Sequence, residues 1–561
     1  MIFFMRHVIV LFCTLLLTTV RSRCCPTWFH KTAGSDECKC GVQVKNLLEC
    51  SQLPNTMTVH IIDGHCLTYD SDQDIEYFGQ CPYTGRNSSF GQFRTMPSNV
   101  SKLNEVMCGP LNRTGVLCSQ CKPGLGPAVF SYYRECKECL VYPYGWILFF
   151  VRFIIPSTGF CVLVIAFHIN VASPALNAFV IAAQIVNTII SNNPISFANG
   201  SYNILLDFVA SIYGIFSLDF FTFLIPSFCI SSDMSMLTVL ALEYLVALYP
   251  ILFTVAVYLC ITIHDKGCKI LVVCWKPFRK CFARCRRSWE LKGSVMNAFA
   301  TFILLSYCKF SSISLYLLQT VPVFDKYGNQ TYTLFYNASI HGHGVSSNSH
   351  YAAYFGVSIF VLVTMVFLPT IFILFYQIRI FQRCLHFCRI RCTLLHEMAN
   401  ILQGCFKNGT TPGTRDYRWF AGLYLLLRIV LVFSINQIYY SLVYQVIACI
   451  MSAVVAALRP YRIDKYNTLD SFAWLLFGLT VGIFVYIRAY NNISKVVPYI
   501  SICAPFAYFV CYVSWTFIAS FIKCCRFHIF TKVSKSQILT DENSVPDRLI
   551  NPNEYTPCIN N

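Results

Sequence analysis

CKECLVYPYGWILFFVRFIIPSTGFCVLVIAFH, residues 136–168, joins two different kinds of sequence within a few positions. It begins with the last C-x2-C pair of a polar, cysteine-rich segment, and only LVYPY separates Cys139 from Gly145. From Gly145 onward the residues are apolar for long enough to cross a bilayer, which takes about 20 residues of helix. The stretch therefore predicts a disulfide-stapled module attached directly to a transmembrane helix.

The composition of the whole chain is that of a membrane protein. Of the 561 residues, 56% are hydrophobic and 12% are charged, whereas in soluble domains about 25% of residues are charged. The net charge of +17 could indicate a nucleic-acid partner, but the Lys and Arg residues concentrate in loops between apolar runs. That distribution is the positive-inside pattern of membrane proteins, so we expect no nucleic-acid partner.

The N-terminal region has the features of a secreted segment. Arg6 and His7 precede a short apolar run, which predicts a signal peptide over residues 1–22, with an uncleaved anchor as the alternative. Residues 23–144 hold an even number of cysteines but are too few for a large core, which predicts a disulfide-rich extracellular module. The sequence leaves the pairing open. The disulfide candidates are Cys24, Cys25, Cys38, Cys40, Cys50, Cys66, Cys81, Cys108, Cys118, Cys121, Cys136 and Cys139.

The spacing of Cys118, Cys121, Cys136 and Cys139 is also that of a zinc ribbon. A zinc site needs reduced thiolates, whereas thiols in the oxidising extracellular compartment form disulfides. We therefore expect all four cysteines in disulfides and no metal or other cofactor, with a zinc site as the alternative.

Apolar runs long enough to cross the bilayer recur along residues 145–522. The basic loops at 264–293 and 379–418 should be cytoplasmic. Because the chain leaves the module outside, it must cross an odd number of times before the first basic loop, so the run 203–230 is interpreted as re-entrant or interfacial. The predicted fold is an all-α polytopic membrane protein with about nine transmembrane helices and a cytoplasmic tail, 523–561. The predicted spans are 145–168, 174–192, 235–263, 295–320, 351–377, 419–438, 440–458, 470–489 and 498–522.

The same topology assigns a side to each Asn-X-Ser/Thr sequon. We expect a multi-pass plasma-membrane glycoprotein with its N-terminus outside and its C-terminus inside. Asn408 lies in a sequon within a predicted cytoplasmic loop and should remain unmodified. The glycosylation candidates on the outer side are Asn87, Asn99, Asn112, Asn199, Asn329, Asn337 and Asn492.

Charged residues within the predicted spans are costly in lipid and need a partner or water. They could line an ion or ligand pathway, or they could form static pairs that fix helix packing. Counting from the outer face at the helical rise places Glu243, Lys309 and Arg152 at comparable depth, so Glu243 is predicted to pair with Lys309 or Arg152. The intramembrane charges are Arg152, Glu243, Lys309 and Arg428.

The sequence contains no pattern that indicates an enzyme. A phosphate-cradling glycine loop, a nucleophile elbow and an H-E-x-x-H motif are all missing. The basic cytoplasmic loops can bind anionic lipid headgroups, at about 1 kcal/mol for each Lys or Arg near the surface. The expected partners are therefore the lipid bilayer, those headgroups and an extracellular ligand or solute.

Several short stretches occur in an order that resembles a known family of multi-pass membrane proteins from sponges, cnidarians and related invertebrates. They are GVLCSQCKPGLGPAVF (115–130), YGIFSLDFF (213–221), LEYLVALYPILF (242–253), NAFATFILLSYCKF (297–310) and RWFAGLYLLLRIVLVF (418–433). Members of that family join an extracellular Cys-rich or repeat-containing region to a shared transmembrane domain. In the family the SLDFF stretch precedes a span, which implies the same here. AALRPYRIDKYNTLDSF (456–472) is similar to the end of the membrane domain in fungal transient-receptor-potential-like proteins.

Two classes of function fit these observations. A receptor-like protein would sense an extracellular ligand through the Cys-rich module and report it through the basic cytoplasmic loops. An ion channel or transporter would instead use the charged residues of the transmembrane bundle to move a solute. The short connection between Cys139 and Gly145 favours the receptor-like function.

Overall fold

The chain forms two units, and each is assembled from segments that are distant in sequence. The first unit comprises Met1–Gly145, Phe228–Leu240 and Tyr316–Phe355, and the second comprises Trp146–Ser227, Ala241–Leu315 and Gly356–Asn561. The computed structural model describes residues 30–31, 38–39, 48–53, 56–61, 65–70, 75–80, 93–95, 104, 108–109, 112–129, 135–140, 143–173, 176–177, 179–184, 187, 212–218, 227–265, 288–325, 330–341, 349–378, 381, 383, 393–410, 414–433 and 440–489.

Some of the sequence predictions fall outside the described residues. These are the signal peptide (1–22), the span at 498–522, the tail at 523–561, and Cys24, Cys25, Cys40, Cys81, Asn87, Asn99, Asn199, Asn329 and Asn492.

Most of the described residues are helical. The helices are α1 (Tyr144–Ala166), α2 (Met236–Asp265), α3 (Ser288–Leu318), α4 (Ser349–Val361), α5 (Leu368–Phe375), α6 (Thr393–Gln403), α7 (Phe420–Phe433), α8 (Tyr440–Leu458) and α9 (Asp464–Ala489). A π-helical segment, Leu362–Phe367, joins α4 to α5. Helical residues at 176–177, 179–184 and 187 fall in the predicted span 174–192.

Helix α9 begins six residues before its predicted span at 470–489, at Asp464. The first seven residues of this helix are DKYNTLD. Two of their polar side chains are buried: Asn467 is 3% exposed and Asp470 is 1% exposed. Asn467 Oδ1 accepts a hydrogen bond from the backbone N–H of Tyr461 at 2.9 Å.

Among the described residues, four helices are long and apolar enough to cross a membrane: Tyr144–Ala166, Met236–Ile263, Lys292–Leu318 and Tyr351–Phe375. Phe420–Val430 and Val443–Leu458 are shorter apolar helices. Large apolar side chains on α1 and α4 remain exposed, with Ile155 and Phe360 each at 65%. Such surfaces are compatible with helices that face lipid.

The strands belong to the first unit. They are β1 (His30–Lys31), β2 (Cys38–Lys39), β3 (Leu48–Leu53), β4 (Thr56–Ile61), β5 (His65–Asp70), β6 (Ile75–Gln80), β7 (Phe93–Thr95), β8 (Arg113–Thr114), β9 (Gln120–Cys121), β10 (Leu125–Val129), β11 (Cys136–Glu138), β12 (Phe228–Cys229), β13 (Thr320–Asp325), β14 (Gln330–Leu334) and β15 (Asn337–His341). The smaller described sheets pair β1 with β2, β8 with β9, and β3, β4 and β7 in the order β3-β4-β7.

The largest described sheet combines strands from the predicted Cys-rich module with strands from a loop inside the predicted membrane domain. It is antiparallel with the order β15-β14-β13-β6-β5, and Gly79 of β6 pairs with Val323 of β13. Residues 320–341 lie between the predicted spans 295–320 and 351–377, where no strand was predicted. In β13, Val321 and Val323 are buried whereas Pro322 is exposed, which is the two-residue period of a strand. The prediction of an all-α fold outside 23–144 is therefore wrong for this segment.

Residues 203–230 contain more than the single re-entrant or interfacial segment that was predicted. Residues 212–216 are helical, and the run ends in β12. Strand β12 pairs with β10, with Ala128 opposite Cys229 and Val129 opposite Phe228. The end of this run is thus part of the first unit.

Four helix ends also belong to the first unit: the starts of α1, α2 and α4 and the end of α3. Helix α2 is capped by Ser235, whose Oγ accepts a hydrogen bond from the N–H of Thr238 at 3.2 Å. The Thr238 hydroxyl in turn lies 2.7 Å from the hydroxyl of Tyr354 in α4. The strands, the disulfides and these helix ends therefore form one compact unit.

Candidate functional site

Three described disulfides cluster between residues 108 and 229 of the first unit. They join Cys108 to Cys118, Cys121 to Cys136, and Cys139 to Cys229. Cys66 is also disulfide-bonded, and Cys38 and Cys50 lie in strands β2 and β3. The four cysteines with zinc-ribbon spacing are thus all at disulfide distance from a partner.

The partner of Cys139 lies outside the predicted module. The even number of cysteines in residues 23–144 suggested pairing within that segment, but the Cys139–Cys229 bond spans 90 residues. Gly126 fits against this bond, since a Cβ there would lie 2.5 Å from Cys229 Sγ and 2.7 Å from Cys139 Sγ. The bond therefore ties the chain before α1 to the chain before α2.

The described sequons lie on different kinds of backbone. Asn112 is exposed and has a positive φ of 57°, which Asn adopts more readily than most residues. Asn337 begins strand β15. Asn408 lies outside the first unit, and its Oδ1 accepts hydrogen bonds from the N–H and the hydroxyl of Thr410.

The predicted intramembrane charges separate into a pair and two residues elsewhere. Lys309 Nζ on α3 lies 2.8 Å from Glu243 Oε2 on α2, and the side chains are 14% and 22% exposed. The structure therefore places Lys309 against Glu243, one of the two arrangements predicted. Arg152 lies on α1 and is half-buried. Arg428 lies on α7 and is 1% exposed.

Arg428 is held by neutral polar side chains. Its Nη2 donates a hydrogen bond to Asn177 Oδ1 at 2.6 Å, and its Nε donates to Gln184 Oε1 at 3.3 Å. Gln184 is oriented by its own amide, which donates to the backbone oxygens of Phe216, Leu304 and Leu305. The Gln184 oxygen is therefore presented to the guanidinium.

A second buried polar group lies one helical turn away along α7. Tyr424, four residues before Arg428 and so on the same helix face, donates a hydrogen bond to Asp470 Oδ2. Tyr461 donates to the same oxygen at 3.0 Å, and Trp474 Nε1 donates to the Tyr424 hydroxyl at 3.2 Å. Burial raises the pKa of Tyr461 well above its usual value, so this hydroxyl stays protonated and remains a donor.

A cap of non-helical chain, defined as residues 404–410, 414–419 and 459–463, covers this cluster. Its segments are joined by backbone hydrogen bonds, from Lys407 N to Pro460 O at 2.9 Å and from Arg462 N to Cys405 O at 3.1 Å. Phe406 stacks on Tyr461 with ring centroids 4.8 Å apart. The cap therefore positions Tyr461 over Asp470.

Between the cap and the helices lies a cavity of about 10 Å³, close to the space that one water molecule needs. Arg428, Asn177, Tyr424 and Tyr461 provide its polar lining, and the other lining residues are Ala172, Leu304, Leu402, Phe406, Ala421 and Leu425. Arg428 Nη1 has no hydrogen-bond partner among the described residues. We call Arg428, its two amide partners and this cavity the Arg428 site.

Sequence reasoning found Arg428 but missed the residues around it. Asn177 and Gln184 are seven residues apart, about two helical turns, so two polar groups on one face of an apolar run were a usable signal. The contact between Tyr424 and Asp470 was harder to predict from the sequence, because the two residues lie on α7 and α9, which meet only in the folded protein. Within the described residues, no group of His, Cys, Asp and Glu has the arrangement of a metal site.

Comparisons of this chain with models of protein families, with curated proteins and with solved structures find no match.

Proposed function

We propose that this protein is a receptor-like, multi-pass membrane protein of the cell surface that senses an extracellular ligand through its disulfide-rich first unit. The observation that carries the proposal is the composition of that unit. It contains the module strands together with the starts of α1, α2 and α4 and the end of α3. A ligand that displaced the strands would therefore act on four helix ends without any intervening linker.

The same composition supports the proposed topology of nine spans. In that topology the four helix ends in the first unit all lie at the outer face, as does Cys229. A disulfide between Cys139 and Cys229 requires both residues to meet an oxidising compartment. The signal peptide, the glycans on outer sequons and the plasma-membrane location complete this part of the proposal.

The cytoplasmic side of the proposed receptor includes the cap. Its basic residues are Lys407, Arg415, Arg418, Arg459 and Arg462. Arg418 is paired with Asp416 at 2.7 Å, and this hydrogen bond raises the pKa of the guanidinium further. Arg462 Nε donates to the backbone oxygen of Phe406 within the cap. Lys407, Arg415 and Arg459 are suited to anionic lipid headgroups, which are abundant in the inner leaflet.

Hydrogen exchange on the full-length protein in lipid nanodiscs tests whether the first unit communicates with the rest of the chain. The surrogate ligand is a nanobody raised against the folded first unit. We expect it to change amide exchange in the parts of α2 and α3 that belong to the second unit, residues 241–265 and 288–315, and in the cap. A nanobody against a C-terminal tag is the control and should leave these segments unchanged. Changes confined to the epitope would contradict the receptor function.

An ion channel or transporter is the second candidate, and the buried charges on α2, α3 and α7 favour it. Currents recorded from cells that express the full chain distinguish the two functions. The receptor function predicts no current above that of control cells, with or without the nanobody. A current that Glu243→Gln or Arg428→Gln abolishes, in protein that still reaches the surface, would establish the second candidate instead.

A further inference from the structure

Arg428 carries a buried positive charge that no described carboxylate balances by contact. Its side chain is 1% exposed, and the described ion pairs, counted within 4.0 Å, do not include it. Asn177 and Gln184 are neutral amides, so they satisfy donors of the guanidinium without supplying a counter-charge. A buried cation in this setting strongly favours any nearby anion.

Arg428 lines the cavity and has a nitrogen without a hydrogen-bond partner in the described part of the chain. Nη1 has no hydrogen-bond partner among the described residues, while Nη2 and Nε are both bonded. The Asp470 carboxylate on α9 is bonded to the tyrosines and not to Arg428: its Oδ2 accepts from Tyr424 and Tyr461, and its Oδ1 has no hydrogen-bond partner among the described residues. The rest of the cavity wall is apolar apart from Asn177 and the two tyrosines. The side chain that carries this unpartnered donor is therefore part of the cavity wall.

We propose that the Arg428 site binds a small monovalent anion of the halide class, with chloride as its physiological form. Arg428 Nη1 contacts the anion, and the guanidinium supplies the charge that neutralises it. This goes beyond the receptor function, because it assigns a ligand to the second unit that the first unit does not bind.

The size and charge of the site select this class of ligand. A cavity of about 10 Å³ accommodates one small sphere after slight side-chain adjustment and excludes carboxylate or phosphate groups. A water molecule would satisfy Nη1 but would leave the positive charge unbalanced. A single negative charge balances Arg428, whereas a divalent anion would leave an excess of negative charge in the same apolar wall.

Thermal unfolding of the purified full chain tests the proposal through Trp fluorescence. Chloride replaces gluconate at constant sodium and constant ionic strength, because gluconate is too large for the cavity. For a site with millimolar affinity, 100 mM chloride should raise the midpoint by about 5 °C, and bromide should act similarly. Equal midpoints in chloride and gluconate would overturn the proposal.

Variants assign the effect to this site. Arg428→Gln should abolish the difference between chloride and gluconate. Ala421→Leu should also abolish it, because the larger side chain fills the cavity while Arg428 and its partners remain. Lys309→Met, which removes a cation that already has a carboxylate partner, should retain the difference. A chloride effect that persists in Ala421→Leu would place the anion elsewhere and overturn the assignment even if Arg428→Gln fails to fold.

Discussion

The two units of this chain are stabilised by different chemistry. The first unit joins short strands and helix ends through disulfides and backbone pairing. The second unit packs helices around buried charges, with Glu243 against Lys309, Arg428 against two amides, and Asp470 beneath two tyrosines. The module depends on crosslinks because its core is small, whereas the helical unit depends on satisfying polar groups in an apolar interior. We therefore expect different kinds of substitution to destabilise the two units.

Loss of the Cys139–Cys229 disulfide should have the largest effect. Cys139→Ser and Cys229→Ser should each destabilise the protein by about 2–5 kcal/mol. The double variant should be no worse than either single variant, because all three remove the same bond. Surface expression and thermal unfolding of the full chain measure the loss.

Cys449→Ser is the matched control for that experiment. Cys449 is a free and exposed cysteine on α8, so its replacement should leave expression and the unfolding midpoint unchanged. Strictly additive losses in Cys139→Ser and Cys229→Ser would mean that these residues do not share a bond.

The Glu243–Lys309 pair should give the next largest effect, in the second unit. Glu243→Gln and Lys309→Met each leave a charge without its partner, whereas the double variant leaves none. A double-mutant cycle on stability should therefore give a coupling energy of about 2 kcal/mol.

Glu135 and Lys137 provide the comparison in the first unit. Their ion pair is 3.4 Å long, but the side chains are 49% and 39% exposed. Coupling between exposed ions is about 0–1 kcal/mol, so this cycle should be nearly additive. Equal coupling in both cycles would contradict the contrast between the units.

Gly422 tests helix packing in the second unit and should give a smaller effect. A Cβ at this position on α7 would lie 2.6 Å from Leu374 Cα on α5, so Gly422→Ala forces the helices apart. The expected cost is about 1 kcal/mol after relaxation, measured by the unfolding midpoint. Gly159→Ala on α1 is the control, since nothing lies within 4 Å of a Cβ there. Equal decreases of the unfolding midpoint in the two variants would show that the close approach of α7 to α5 does not cause the destabilisation.

Sequon mapping should leave stability unchanged but tests the sidedness of both units. Single-sequon variants retaining Asn112 or Asn337 should show a glycosidase-sensitive shift in mobility, because both belong to the first unit. A variant retaining only Asn408 should show no shift. A glycan on Asn408 would place the cap outside and refute the topology of nine spans.

The length of the apolar runs was sufficient to locate the long helices α1 and α2, but not to predict which segments pack against them. Long apolar runs located α1 and α2 closely because a membrane span is defined by local composition. Strands β13–β15 were not predicted, because a short strand is stabilised by the strand beside it. The neighbour of β13 is β6, which lies far away in sequence. The Lys309–Glu243 contact could be predicted, because the helical rise converts a residue's position in a span into its depth in the membrane.

The Arg428 site could be only partly predicted. Its charge was evident, but its amide partners come from helical residues near 177 and 184, and Tyr424 meets Asp470 only when α7 packs beside α9. Such contacts depend on helix rotation and neighbour order, which hydropathy does not encode. The cap was missed for a related reason, since its segments 404–410 and 459–463 are joined by backbone bonds without a sequence motif.

The pairing of Gly79 with Val323 and of Cys139 with Cys229 has a consequence for biosynthesis. At about 5–20 residues per second, the ribosome takes on the order of ten seconds to make the chain between the two cysteines. In the proposed topology Cys139 is an unpaired thiol in the lumen during that time, and β6 presents an open edge until β13 has emerged. The module therefore matures late, after α1, α2 and α3 have been made, and its completion marks a chain whose first three long helices have already been synthesised.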